Sequence, residues 1–513
     1  MTYFSSLEEA YGYAVGYAPL NTSSTARLLI GPYAVFQKEN ELSDLHLVSA
    51  TKLAEMIRAR EVSVEQIAQS TLSRIDEINP KLNALIYVDR QQILHDAKEL
   101  DAAVQRGGPL GLIHGVPYTI KDNTSMKGLP FTSGFKPNHG NIGAYDAEVY
   151  KRLQAAGGLF IGKTNLPEFG YYGGCEGHEY GAAHNPFKQG YSTGGSSGGA
   201  AASVAAGITP LAEGNDGAGS VRIPSSLCGT VGLKPTAGVV PETLFPNRYH
   251  SFLFHGPITR TVADSALMMD VWSGPSDADP KTIEKPVPSF VEAIKGNIKG
   301  LRLAWTDDLG TGVHVDPEVL AICRDVLGDL SKLGVIVTEA APKWDGDISK
   351  AMWNGLWIPA FAEVYDLHDW AALDGEVDDY LIEIMRAAET TTAVDVARGS
   401  IVRGRMWDIF TAFMKDYDVL ASPTLTSATF PHGEFAPKWL HGKSVREQIL
   451  DWLLTYPYNM LSNPALTIPA GFTSDSRPVG IQFAARPRQD ALLLRLARNL
   501  EEVRPWANAY RTI

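Results

Sequence analysis

Cysteine is scarce in this chain: Cys175, Cys228 and Cys323 are the only three among 513 residues. An odd, sparse set excludes a disulfide framework and fits a reducing compartment. None stands in a Cys-x-x-Cys pair or a His-rich cluster, so a metal site is not expected. Long apolar runs are missing as well. No stretch reaches the ~18 apolar residues that a membrane-spanning helix needs. The first cation is Arg27, and no basic stretch precedes an apolar one, so a secretory signal is not expected either. The expectation is a soluble, cytoplasmic protein. Positive charge is in deficit, with 45 Lys and Arg against 58 Asp and Glu for a net charge of −13. That balance disfavours nucleic acid or an anionic membrane as the main partner.

What is present reads as a globular α/β chain. Apolar residues make up 44% and charged residues 20%, a mixture that folds rather than stays disordered. The length leaves two domains or one large body open. Ser63-Val64-Glu65-Gln66 is a capping-box pattern, and Ile67, Thr71, Ile75 and Ile78 follow at helical spacing until Asn79-Pro80 stops the helix. Short apolar runs then alternate with helical stretches. Leu159–Gly162, Thr209–Ala212, Leu301–Trp305, Val335–Thr338, Val419–Ser422, Ala465–Pro469 and Val479–Ala484 read as buried strands. The pattern predicts a single large α/β/α body around a mixed, mostly parallel sheet. Residues 1–46, rich in Tyr, Ser and Gly, read as an N-terminal extension packed on a catalytic domain of residues 47–513. Surface packing is the expected role of that extension, with a dimer contact or a substrate cap as alternatives.

The chemistry concentrates in glycine-rich loops. Ser196 lies in Gly194-Gly195-Ser196-Ser197-Gly198-Gly199, and Ser220, 24 residues on, ends Gly214-Asn215-Asp216-Gly217-Ala218-Gly219-Ser220. Ahead of both, Gly115-Val116-Pro117-Tyr118-Thr119-Ile120-Lys121-Asp122 puts a lysine in an apolar strand. Small residues in succession let backbone N–H groups converge on a developing oxyanion. The serines offer a nucleophile and a proton relay, and a buried lysine kept neutral offers a base. Other readings of the Ser196 loop stand beside this one. Gly194–Gly198 also matches a G-x-S-x-G nucleophile elbow that would use His250 or His255, although Ala182–Thr193 is too polar for the buried strand an elbow needs. A phosphate cradle lacks its Gly-Lys-Ser/Thr, and an ordinary flexible loop is the remaining alternative. Lys121 by itself would pass for a surface lysine, while Cys175 and Cys228 read as small buried fillers.

Taken together these motifs resemble the amidase signature family. The resemblance continues through Gly162-Lys163-Thr164-Asn165, Asp216–Pro224, Cys228–Thr236, Asn463–Gly471 and Pro478–Gln482, spanning roughly residues 47–505. It implies Ser220 as the acyl-forming nucleophile, Ser196 as a cis-peptide serine bridging nucleophile and base, and Lys121 as the base. It implies an oxyanion turn at Gly217, Ala218, Gly219 and Ser220, a backbone position closing the site at Gly170, and support from Asp216 and Arg222. No cofactor is implied. The chain departs from the family's frequent Thr-Asp-Thr-Gly-Gly-Ser, having Asn-Asp-Gly-Ala-Gly-Ser, so Ala218 adds a methyl beside the turn. A similar Gly-Asn-Asp-x-Ala-Gly-Ser pattern occurs in members resembling 6-aminohexanoate cyclic dimer hydrolase, which points away from the tRNA-linked branch; the chain also resembles aryl acylamidase and urethanase-like members.

The implied activity is hydrolysis of a carboxylic amide C–N bond, with esters and carbamates open to the same site. The alternative is the A subunit of a glutamine-dependent tRNA amidotransferase. The partner expected is a small-molecule substrate, and a homodimer is kept open. Trp344, Trp353, Trp357, Phe361, Tyr365, Trp370, Trp407, Phe410 and Phe413 crowd the stretch between Pro342 and Met414. As a cluster they predict a wide apolar funnel for aryl or long acyl amides, anilides or carbamates; as individual rings they fit helix-packing core.

Overall fold

Side chains from opposite ends of the chain meet because one long sheet gathers them. The computed structural model describes residues 44–513, so the reading of the N-terminal extension lies, but for its last three residues, outside the described residues. Leu45–Ile513 is one compact unit. In chain order the strands begin with β1 (Leu85–Tyr87), β2 (Pro117–Lys121), β3 (Leu159–Thr164), β4 (His184–Asn185) and β5 (Lys188–Ser192). Next come β6 (Leu211–Asp216), β7 (Val231–Lys234), β8 (Phe254–Thr259) and β9 (Arg302–Trp305). The last four are β10 (Ile336–Glu339), β11 (Val419–Pro423), β12 (Ala465–Phe472) and β13 (Pro478–Ala484). Apart from the β4–β5 hairpin they form a single sheet, ordered β1-β3-β2-β6-β8-β7-β12-β13-β11-β9-β10.

The α/β body and the mixed sheet are as expected, but parallel pairs do not predominate in it. Parallel pairs lie toward the flanks, β3-β2-β6 on one side and β11-β9-β10 on the other. The middle of the sheet, from β6 through β8, β7, β12 and β13 to β11, is antiparallel throughout. The connections explain this. β12 and β13 are joined by the tight turn at residues 473–477, too short for the crossover of a dozen or more residues that a parallel pair requires. β8 inserts between β6 and β7 and pairs antiparallel with both.

β2, β6, β7, β8 and β13 are buried at every position, so both sheet faces are covered. The helices Gly198–Ala205, Val262–Trp272, Pro317–Lys332 and Asp490–Val503 all pack on the sheet. Ser63 caps the helix Val64–Leu82 through the expected capping box with Gln66. That helix runs past Pro80 and stops at left-handed Asn83. A proline in the last turn forfeits only one ladder bond, and the Asn79 side chain takes the backbone N–H groups of Ala84 and Leu85 just beyond it. β10 also departs from expectation. It is the outer edge strand and largely exposed, with Ile336 56% accessible, rather than buried.

Candidate active site

β2 and β6 run parallel in register, with Tyr118 opposite Leu211 and Thr119 opposite Ala212. Their carboxyl ends therefore deliver Lys121 and the Glu213–Asp216 segment to the same place, where open α/β sheets carry their chemistry. A side-chain tie reinforces the ladder: the Lys121 backbone N–H donates to Glu213 Oε2 at 3.0 Å. The small-residue helix Gly198–Ala205 packs on β6 and presents the Ser196 loop above it. The Ser197 hydroxyl both donates to the Asn215 carbonyl and accepts its N–H, each at 3.3 Å, while the Ser197 N–H donates to the Ser220 carbonyl at 3.2 Å. The two serine loops are thus zipped together.

Lys121 Nζ stands 2.7 Å from Ser196 Oγ and 2.9 Å from Asn215 Oδ1, with Lys121 wholly buried. Burial lowers its ammonium pKa to about 7, against the opposing pull of Glu213, Cys175 and Asp216. The Gly195–Ser196 peptide is cis. Ser196 and Ser220 line one cavity together with Gly170 and Gly217. Among the described residues no acceptor takes the N–H of Gly217, Ala218, Gly219 or Ser220. Four successive free donors beside a hydroxyl form an anion-receiving nest.

The turn that holds this nest is tied from outside. Thr455 Oγ1 donates to the Ala218 carbonyl at 2.6 Å, and Asn459 Nδ2 to the Asp216 carbonyl at 2.9 Å. Gly219 has φ +136°, and a Cβ there would come within 2.2 Å of Thr455 Oγ1, so only glycine fits. Asp216 and Arg222 are fully buried and joined by two 3.0 Å bonds, Nε to Oδ2 and Nη2 to Oδ1. Burial alone would raise the Asp216 pKa, but the Arg222 guanidinium holds it below the usual carboxylate value. Arg222 also donates to the Thr455 carbonyl and to Asn459 Oδ1, closing the bracket around the turn.

The Ala218 methyl does not narrow the cavity. It packs into a buried apolar cluster with Ile223, Tyr171 and Leu227 instead. Gly170 has φ +68°, and a Cβ there would lie 2.8 Å from Ser196 Oγ. Of the residues singled out by the resemblance, Gly170, Ser196, Gly217 and Ser220 line the cavity, Lys121 touches Ser196, and Ala218, Gly219, Asp216 and Arg222 form the turn and its bracket. The elbow alternative is not supported: His250 pairs with Glu363 and His255 with Glu213, and neither bonds Ser196.

The aromatic stretch divides. Trp357 and Phe361 line the cavity, joined by Phe169, Phe245, Phe252, Leu253 and Ala360. Trp370 and Phe410 are buried in packing, Trp344 donates to the Leu309 carbonyl, Phe413 packs on Tyr417, and Trp407 is 41% exposed. The cavity has a volume of about 40 Å³, well below the range usual for ligand pockets. It is a compact apolar pocket rather than a wide funnel. No charged side chain lines it among the described residues. Sequence reasoning missed Phe169, Phe245 and Phe252, which lie far apart in the chain, and it missed Asn123, Glu213 and Asn215. The only signal for Asn215 was its place beside Asp216 in the departing Asn-Asp-Gly-Ala-Gly-Ser.

The chain is similar to several known proteins over nearly its whole length. The family model described as Amidase matches residues 66–494. An acylamidase from Rhodococcus erythropolis is 59% identical over 465 residues, covering 91% of this chain and 97% of that protein. The A subunit of glutamyl-tRNA(Gln) amidotransferase from Moorella thermoacetica is 32% identical, covering 90% of this chain and 97% of that one. Among solved structures, a bacterial aryl acylamidase of the amidase signature family superposes with a TM-score of 0.84 at 27% identity, covering 91% and 98% of the two chains.

Proposed function

The chain belongs to the amidase signature family, a hydrolase of non-peptide C–N bonds, and from that premise we propose how it acts and on what. Neutral Lys121 takes the proton of the Ser196 hydroxyl, Ser196 takes that of Ser220, and Ser220 Oγ bonds the substrate carbonyl carbon. The carbonyl electron pair moves onto oxygen, which the N–H groups of Gly217, Ala218, Gly219 and Ser220 receive. As that pair returns, the C–N bond breaks and the proton passes through Ser196 to the leaving amine. Water then repeats the sequence on the acyl-Ser220 ester, releasing the acid and restoring Ser220. The observation that carries this reading is the 2.7 Å contact between buried Lys121 and Ser196, in the cavity that also holds Ser220 and its free N–H donors.

The cavity supports aryl or compact acyl amides, anilides and carbamates as substrates. Glutamine would bring an ammonium and a carboxylate into a pocket whose rings offer neither a counter-charge, and burying unpaired charge is costly. The acylamidase likeness at 59% identity supports the same choice over the amidotransferase alternative. Three free, buried cysteines support a reducing, cytoplasmic setting. The test is kcat/KM for 4-nitroacetanilide, a phenyl carbamate, acetamide and glutamine. The anilide is expected to exceed glutamine by at least about tenfold, a margin well below the roughly 10⁴–10⁵ by which unpaired buried polar groups can discriminate. Glutamine outpacing the aromatic substrates would overturn the assignment.

Gly170 supports the relay by leaving room for the Ser196 hydroxyl. Gly170→Ala is expected to lower kcat by about tenfold or more, since the new methyl would displace Ser196 Oγ and the left-handed backbone costs roughly 1–2 kcal/mol for a residue with a Cβ. Steady-state kinetics with a thermal melt separates the two effects: a melt lowered without loss of kcat would count against the relay geometry.

A further inference from the structure

Resting on the proposal that Lys121 is the base, we propose that Asn215 is a positioning residue that turns the Lys121 amine so that its lone pair meets Ser196, and that Asn123 sets the Asn215 amide for that task. A neutral amine has one lone pair and two N–H bonds. To take a proton from Ser196 it must aim the lone pair, not an N–H, at Ser196 Oγ. Rotation about the Cε–Nζ bond makes three orientations available, and only one is productive. Asn215 Oδ1, 2.9 Å from Nζ, accepts one N–H and so removes the orientation in which the lone pair faces Asn215 instead of Ser196. It can do so only if its oxygen, not its nitrogen, faces the lysine. Asn215 Nδ2 donates to Asn123 Oδ1 at 2.8 Å, which fixes that choice. The Asn215 backbone is held in turn by the Ser197 hydroxyl, so the acceptor moves with the Ser196 loop. Both asparagines line the cavity beside the two serines.

The acceptor also has to be uncharged. An amide takes the N–H without stabilising an ammonium, whereas a carboxylate at the same distance would favour the protonated lysine. The carboxylates already facing Lys121 are Glu213 and Asp216 from β6, and the Cys175 thiol, pushed up to about 12 by burial, faces it as well. Lys163 of β3 and His255 of β8 act on Glu213 from either side, and Asp122 acts on Lys163. These groups stay in place in variants of Asn215, so a change in pH profile reports the new side chain.

The experiment is the pH dependence of kcat and KM on an anilide for Asn215→Asp, Asn215→Leu, Asn123→Ala and Lys121→Met, each checked for folding by a thermal melt. Asn215→Asp is expected to move the rising limb of kcat upward by about one unit or more, as an opposite charge at this range does, with activity recovered at alkaline pH. Asn215→Leu should lower the plateau of kcat at least fivefold with no upward movement of the limb and little change in KM. Asn123→Ala, on a partly buried side chain, should lower the plateau in the same sense and keeps the test available if Asn215→Leu does not fold. A limb in Asn215→Asp that coincides with wild type, or plateaus unchanged in both the Leu and Ala variants, overturns the proposal. Lys121→Met separates the two levels. If it abolishes turnover while the asparagine variants behave as wild type, the positioning role alone fails; if it keeps turnover, the base assignment fails.

Discussion

Ser220→Ala is expected to lower kcat by about four orders of magnitude or more while leaving KM within a few-fold. Removal of a nucleophile in an acyl-transfer site leaves only the rate enhancement due to binding and the oxyanion donors. The magnitude follows from the arrangement. Ser220 is the hydroxyl at the end of the run of unpartnered N–H groups, whereas Ser196 Oγ is committed to Lys121. A carbonyl seated with its oxygen in the nest therefore meets Ser220 Oγ, not Ser196 Oγ. The fold should be kept, because Ser220 is tied through its carbonyl to the Ser197 N–H and its hydroxyl is not part of that bond. The check is single-turnover kinetics together with a fluorophosphonate probe and peptide mapping. Wild type should carry the adduct on Ser220. An adduct on Ser196 alone, or undiminished turnover in Ser220→Ala, would remove Ser220 from the role of nucleophile.

Lys121→Met should cost about three orders of magnitude in kcat or more and erase the rising limb of the pH profile. In wild type the limb is expected near pH 7, where burial brings the lysine. The sign follows from the role. Below that pH Lys121 is an ammonium with no lone pair, and above it the amine can take the Ser196 proton, so kcat rises with pH. The same shift bears on stability in the opposite manner to a salt bridge. An unfolded lysine titrates near 10.4, so between about pH 7 and 10 the unfolded chain binds the extra proton and stability rises with pH. Below pH 7 the folded chain must hold a buried ammonium. Methionine removes that burden, so at pH 6 the variant should melt no lower than wild type while being inactive. Measuring kcat from pH 5 to 10 beside melts at pH 6 and 9 tests both halves. Near-normal kcat in Lys121→Met, or wild-type activity that is flat from pH 5 to 8, would end the assignment of Lys121 as the base.

What could be read locally was governed by local chemistry. The capping box at Ser63 and Gln66 forms because a hydroxyl and an amide three residues apart satisfy the first free N–H groups of any helix. The small-residue run after Gly199 makes a helix because little side-chain freedom is lost there, and Gly195, Gly198, Gly199 and Gly219 stand where a Cβ would collide with neighbouring backbone or side chains. β6 was only half legible. Its apolar start at Leu211 and Ala212 was seen, but Glu213, Asn215 and Asp216 look like loop until their partners are known. Those partners are His255, Lys121, Asn123 and Arg222, and none of them is a near neighbour in sequence except Arg222.

The sequence by itself determined the chemical groups and the loops that bear them: two serines 24 residues apart, a lysine in an apolar strand, and a run of small residues that can form a nest of N–H donors. Only the tertiary structure decided which groups meet and what surrounds them. Lys121 reaches Ser196, 75 positions away, because parallel pairing of β2 and β6 sets the register. Of the aromatic rings between Pro342 and Met414, Trp357 and Phe361 line the cavity while Phe410 and Trp370 are absorbed in packing. Composition is blind to that division, since a ring gains the same burial from a neighbouring helix as from a ligand. The depressed lysine pKa, the neutral acceptor at Asn215 and the size of the pocket have the same origin. Each depends on distances between segments remote in the chain, which packing of the whole body sets and no local pattern encodes.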